Sequence, residues 1–109
     1  MASLWHLLID VDAHMGAPLS NDILKNRLWR ASYRIDRIER VRSPSGRGWH
    51  IKIRLDREPS SPMETVALQC ICGSDPLRES SNILRARNVG NVDPFWQPRW
   101  NVLYERREA

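Results

Sequence analysis

A chain of 109 residues has room for one domain with a modest core and not for two. Hydrophobic residues at 41% and charged residues at 28% exclude a disordered chain, and no apolar run approaches the ~20 residues that span a bilayer. The net charge is +4, and of 17 Lys and Arg only Lys25 and Lys52 are lysines; arginine forks suit bidentate phosphate contacts, so nucleic acid or a nucleotide is the expected partner, against the plainer alternative of an arginine-rich solvated surface.

The opening "SLWHLLIDVDAH" has no basic segment ahead of its apolar residues and meets two aspartates early. It predicts a strand, β1, over 4–11 rather than a signal peptide. The loop "HMGAPLSND" (14–22) ends in cap residues and opens a helix, α1, over 20–32. A strand β2 is expected over 35–42, although Ile35, Ile38 and Val41 recur every third residue, a spacing that equally extends α1. The turn "SPSGRG" (43–48) leads into β3 over 49–56. Helical segments follow at 62–72 and 76–87, broken by "GSDP" (73–76); after a loop at 88–98, a last strand, β4, is expected over 99–106. The order βαββαβ predicts one α+β domain over 1–109. It would be a ferredoxin-like or RNA-recognition-motif-like sandwich, with a four-stranded antiparallel sheet in the order 4-1-3-2 and helices on one face.

Strand parity then sorts the side chains. Leu7, Ile9 and Val11 share one face of β1, and Ile51, Ile53 and Leu55 share one face of β3. The other face carries Asp10 and Asp12 from β1 and His50, Lys52 and Arg54 from β3. Two carboxylates at i and i+2 repel each other unless a cation joins them, and Mg²⁺ or Mn²⁺ suits such oxygen donors. Antiparallel pairing sets the end of β1 beside the start of β3, which brings His50 and the "SGRG" turn to the two aspartates. Gly46 and Gly48 would let a phosphate approach their backbone N–H groups, with Arg47 and His50 contacting its oxygens. His14, in the loop after Asp12, reads as solvated rather than as a further ligand.

These residues resemble two motifs of the archaeo-eukaryotic primase and primase-polymerase superfamily. "LLIDVDAH" is similar to its first motif, apolar residues followed by D-x-D, and "SPSGRGWHI" to its second, a Ser/Gly-rich turn followed by histidine and a strand. The resemblance spans residues 4–56, about half of the chain. It implies that Asp10 and Asp12 bind a divalent metal and that His50 contacts the phosphates of a nucleoside triphosphate, supported by Ser45 and Arg47. It further implies nucleotidyl transfer in DNA replication, on DNA or RNA, alongside a helicase or another replication protein. The family has a third acid on a later strand, and "WNVLYERRE" supplies none in the proper place. Asp93, in the loop before β4, is the chosen candidate; Asp56 lies at the far end of β3 and Asp75 between two helical segments. The family's additional α/β unit also has no counterpart in a chain of this length, which leaves a minimal or degenerate core as the expectation.

Other residues support different uses of the same sheet. Lys52, Arg54, Arg99 and Trp100 are candidates for nucleic-acid contact, since aromatic side chains on such a face stack bases. On that alternative the chain is a non-catalytic RNA-recognition-like module, and Phe95, Trp96, Trp100 and Tyr104 are either stacking residues or core. A third alternative is a structural protein of a mobile element. Cys70 and Cys72 read as two buried thiols in a reducing compartment, hence a cytoplasmic protein of a cell, virus or plasmid. An edge strand, β2 or β4, offers pairing to a second copy of the chain.

Overall fold

The computed structural model describes residues 6–43 and 46–88. β1 spans His6–Val11, a 3₁₀ turn follows at Ala13–Met15, and α1 spans Asn21–Arg30. β2 (Ile35–Arg42) and β3 (Trp49–Leu55) form a hairpin, and α2 (Pro62–Ile71) and α3 (Pro76–Asn88) complete the described chain. The three strands make one antiparallel sheet in the order β1-β3-β2. The α+β class and the βαββ order with later helices are thus as expected. The predicted β4, with Arg99 and Trp100, lies outside the described residues, as does the aromatic loop before it. No helix of the described residues is long and apolar enough to cross a membrane.

Parity holds along β1 and β3. Leu7, Ile9 and Val11 pair with Ile53, Ile51 and Trp49, and the apolar residues of this face join Leu24 and Leu28 of α1 and Leu68 of α2 in one core. Burying each such side chain contributes roughly 1.5–3 kcal/mol. β2 departs from simple alternation. Ile35 pairs with Leu55 and Ile38 with Ile53, so four residues on β2 match three on β3. The extra residue, Asp36, is a β-bulge, and it lets two isoleucines three apart face the same core. The every-third spacing that resembled helix is therefore the signature of a bulged strand. Val41 falls on the opposite face, across from His50, and is exposed.

The helices start and stop by local rules. Ser20 and Ser61 cap α1 and α2, each hydroxyl accepting the backbone N–H three residues on. The Glu64 carboxylate reaches back to the N–H of Ser60 and accepts the Tyr33 hydroxyl, which ties the start of α2 to the end of α1. At the end of α1 the N–H of Tyr33 donates to Leu28 and that of Ser32 to Trp29. This is the Schellman pattern, with Ser32 at φ 67° in the position that favours glycine. The expected pair of buried thiols needs correction. Cys72 is buried, and burial pushes its thiol up to about 12, but Cys70 is exposed. Two positions apart on a helix end are about 200° apart around the axis, so one face cannot bury both.

Candidate metal centre

The site is assembled at one end of β1 from three parts of the chain. β1 delivers Asp10, and Asp12 follows just past its end. β3 delivers His50, whose backbone is in register with Asp10 and whose Nε2 lies 3.5 Å from an Asp10 carboxylate oxygen. The third part is the connection between α2 and α3, the "GSDP" helix break at 73–76.

Gly73 makes that connection work. It sits at φ +84°, and the N–H groups of Gly73 and Ser74 donate to Cys70 and Gln69, a second Schellman turn. The turn lays Ser74 and Asp75 along the outer edge of β1. The Asp10 N–H donates to the Ser74 hydroxyl at 3.0 Å, and the Asp75 N–H donates to the Asp10 carbonyl at 2.7 Å. One repeat back, the Leu8 N–H donates to Gln69 Oε1 and the Arg78 guanidinium donates to the Leu8 carbonyl. These four bonds occupy the edge groups that a neighbouring strand would have used. The position beside β1 that the 4-1-3-2 order gave to β4 is therefore taken at Leu8 and Asp10.

A buried polar network holds this edge. Gln69 and Asn82 both donate to Glu79 Oε1, and Arg78 pairs with the other Glu79 oxygen at 2.6 Å. Glu79 is 1% exposed and Arg78 8% exposed, so each charge relies on the other for compensation. Asp75 is also buried; it stands ahead of Pro76 in the cap position of α3, and its carboxylate accepts the Leu77 N–H.

The result is three carboxylates, Asp10, Asp12 and Asp75, each offering an oxygen within 4.8 Å of the others. Asp10 and Asp12 are half-buried. Burial holds the Asp10 carboxyl above its ordinary value; His50 pulls it down, Asp12 pushes it up, Arg78 pulls it down and Asp75 pushes it up. All three donors are hard anionic oxygens, which matches the coordination preference of Mg²⁺ or Mn²⁺. Among the described residues, the acid that joins Asp10 and Asp12 is Asp75. Asp93 lies outside the described residues, and Asp56 is engaged far away, its carboxylate accepting the Arg34 N–H.

The turn before β3 contributes differently from what its glycines predict. The Gly46 N–H donates to the Ser43 carbonyl and the Gly48 N–H to the Ser43 hydroxyl. Both N–H groups that were expected to face a phosphate are thus bonded within the turn itself. Gly48 is needed for contact instead: a Cβ there would lie 2.2 Å from the Val11 carbonyl oxygen and 3.1 Å from the Asp12 Cα. The missing side chain lets the turn press on the end of β1. Arg47 is exposed in that turn, and Ser45 lies outside the described residues. His50 is 4% exposed, with its Nε2 toward Asp10. His14 is exposed in the 3₁₀ turn after Asp12.

The sheet-face cations have acidic neighbours. Lys52 stands opposite Glu39, and Arg54 lies 3.5 Å from Asp36. Ser74, Asp75, Arg78 and Glu79 were not singled out for the site from sequence, apart from Asp75 as a rejected third acid. The available signal was the D-P pair after a glycine, a helix start; where that start would land was not encoded locally. Comparison with protein-family models, curated proteins and solved structures finds no match.

Proposed function

We propose that the chain is a metal-dependent nucleotidyltransferase-like domain of the primase type, acting on a nucleoside triphosphate in DNA replication. The observation that carries this reading is the arrival of Asp75 beside Asp10 and Asp12, next to His50. The βαββ order followed by two helices supports it, as the described part of a ferredoxin-like arrangement.

Asp10, Asp12 and Asp75 are the residues that would hold Mg²⁺ or Mn²⁺. Such a cation supplies Lewis-acid charge to a triphosphate and to an attacking hydroxyl. The protein's own contribution is positioning. Ser74 and the Asp75 N–H fix the Asp10 backbone, and the cap bond to Leu77 fixes the Asp75 carboxylate. His50, buried against Asp10, orients that carboxylate rather than reaching for phosphate. Arg47, exposed in the turn that Gly48 presses onto Asp12, is the side chain offered to the triphosphate. The alternative of an RNA-recognition-like sheet is less favoured, because Lys52 and Arg54 each face an acid.

The test is a Mn²⁺ titration, with and without nucleoside triphosphate, followed by electron paramagnetic resonance. Wild type should bind Mn²⁺, and the Asp10→Ala/Asp12→Ala double variant should not. Equal binding by both would remove the metal site. A primer synthesis and extension assay on the metal-loaded protein then reads catalysis separately.

A further inference from the structure

A second surface lies at the other end of the sheet. A groove of about 470 Å³ opens between α1 and the start of β2, lined by Asp22, Lys25, Asn26, Trp29, Arg34 and Ile35, with Tyr33 at its floor. Ile35 pairs with Leu55, whereas the carboxylates lie beside His50; five residues along β3 separate the two by ~17 Å.

The chemistry of the groove is uneven. Leu24 and Leu28 take the core side of α1, which leaves Trp29 on the wet side and 59% exposed. Lys25 stands one helical turn before Trp29 on the same face. The Arg34 guanidinium lies 5.1 Å from the Trp29 ring centroid, and the Arg57 guanidinium 3.9 Å from that of Tyr33. Asp22 is the sole acid in the lining. Arg30, next to Trp29, is exposed as well. An exposed indole among cations is the arrangement that takes a base on the aromatic face and phosphates on the charges.

We propose that the groove between α1 and β2 binds single-stranded nucleic acid. The volume is in the range of pockets that admit a nucleotide-sized group. A single strand fits rather than a duplex, because a base must be unpaired and unstacked to reach the Trp29 face. The excess of cations in the lining complements a polyanion, and the net charge of +4 acts in the same direction at long range. The site uses none of the carboxylates and needs no metal.

The experiment is fluorescence anisotropy of a labelled 20-nucleotide oligo-dT at low salt with EDTA present. The Asp10→Ala/Asp12→Ala variant, with two negative charges fewer, should bind at least as tightly as wild type, which separates this site from the proposed metal centre. Trp29→Ala, at an exposed position that leaves the core intact, should weaken binding about 5- to 100-fold. Lys25→Glu should weaken it too and reduce its salt dependence. A duplex of equal length should bind more weakly than the single strand. Unchanged affinity in folded Trp29→Ala would overturn the proposal, and so would competition by polyglutamate of matched charge as effective as unlabelled oligo-dT.

Discussion

The backbone N–H of Asp75 donates to the backbone carbonyl of Asp10 across 2.7 Å, although 65 positions separate them in the chain. This bond brings the cap of α3 to the end of β1, and it is why three carboxylates meet. It also commits the protein to an electrostatic cost, since three acids within 4.8 Å repel whenever no cation lies among them.

Asp75→Asn should therefore separate the two roles of that side chain. The amide retains an oxygen for the Leu77 N–H, so the helix start survives, while one negative charge leaves the cluster. Mn²⁺ affinity should fall by about 10-fold or more, measured by calorimetric titration, with circular dichroism unchanged. Unaltered affinity would exclude Asp75 as a ligand.

Metal-free stability should respond to Asp10 in the opposite direction from function. Its carboxyl is held above the ordinary 3.8 by burial first. A raised acid contributes stability that is present below the unfolded value and lost as pH rises through the folded one. Asp10→Asn should thus melt higher than wild type in EDTA at pH 7, by about 2–5 °C, with the gap narrowing as pH falls toward 4. Saturating Mn²⁺ should narrow the gap at pH 7 or reverse it, because only the wild type binds the ion well.

Two glycines in one turn make a matched comparison. Gly48→Ala places a methyl 2.2 Å from the Val11 carbonyl oxygen, a backbone atom that moves only if the strand pair separates. The expected loss is about 2–4 kcal/mol, with weaker Mn²⁺ binding because Asp12 shifts. Gly46→Ala meets open space at φ +72° and should cost only about 1–2 kcal/mol, without affecting the metal. Chemical denaturation and Mn²⁺ titration of both variants check this.

The Arg78–Glu79 pair should behave as a coupled unit. Arg78→Met leaves Glu79 buried without its cation and uncaps the Leu8 carbonyl, at a cost of about 3–5 kcal/mol. Arg78→Met/Glu79→Gln should cost less than the two single changes together. A double-mutant cycle by urea denaturation reads the coupling, and simple additivity would contradict it.

Ser32→Gly is expected to stabilise. Ser32 occupies φ 67° at the end of α1, where a Cβ is strained and glycine is not. The gain should be about 1 kcal/mol, visible as a raised melting temperature, with the Trp29 groove unchanged.

Much of the fold was legible locally. Each described strand and α-helix lies within two residues of its expected bounds, because capping serines, Gly and Pro punctuation and strand parity are short-range signals. The pairing of Asp10 with His50 was legible too, since antiparallel order and parity suffice to place one against the other. Less legible was the reason for the spacing of Ile35 and Ile38, which needed a bulge at Asp36 to reconcile with strand geometry. The close contact that Gly48 makes with β1 was not legible for a related reason. Glycine marks a special backbone, but a cradle for phosphate and a close strand contact look alike in one dimension.

By itself the amino-acid sequence determined the elements, their order, the face that carries Asp10, Asp12 and His50, and the positive balance of charge. Only the tertiary structure decided which acid joins the pair, because that depends on where the Gly73 turn sets Asp75 against an edge of β1. The edge groups of Leu8 and Asp10 need partners wherever they are taken from water, and the α2–α3 connection supplied them. The physical reason is range. Capping and alternation act over a few residues, whereas hydrogen-bond satisfaction at a sheet edge is settled among groups more than 60 positions apart.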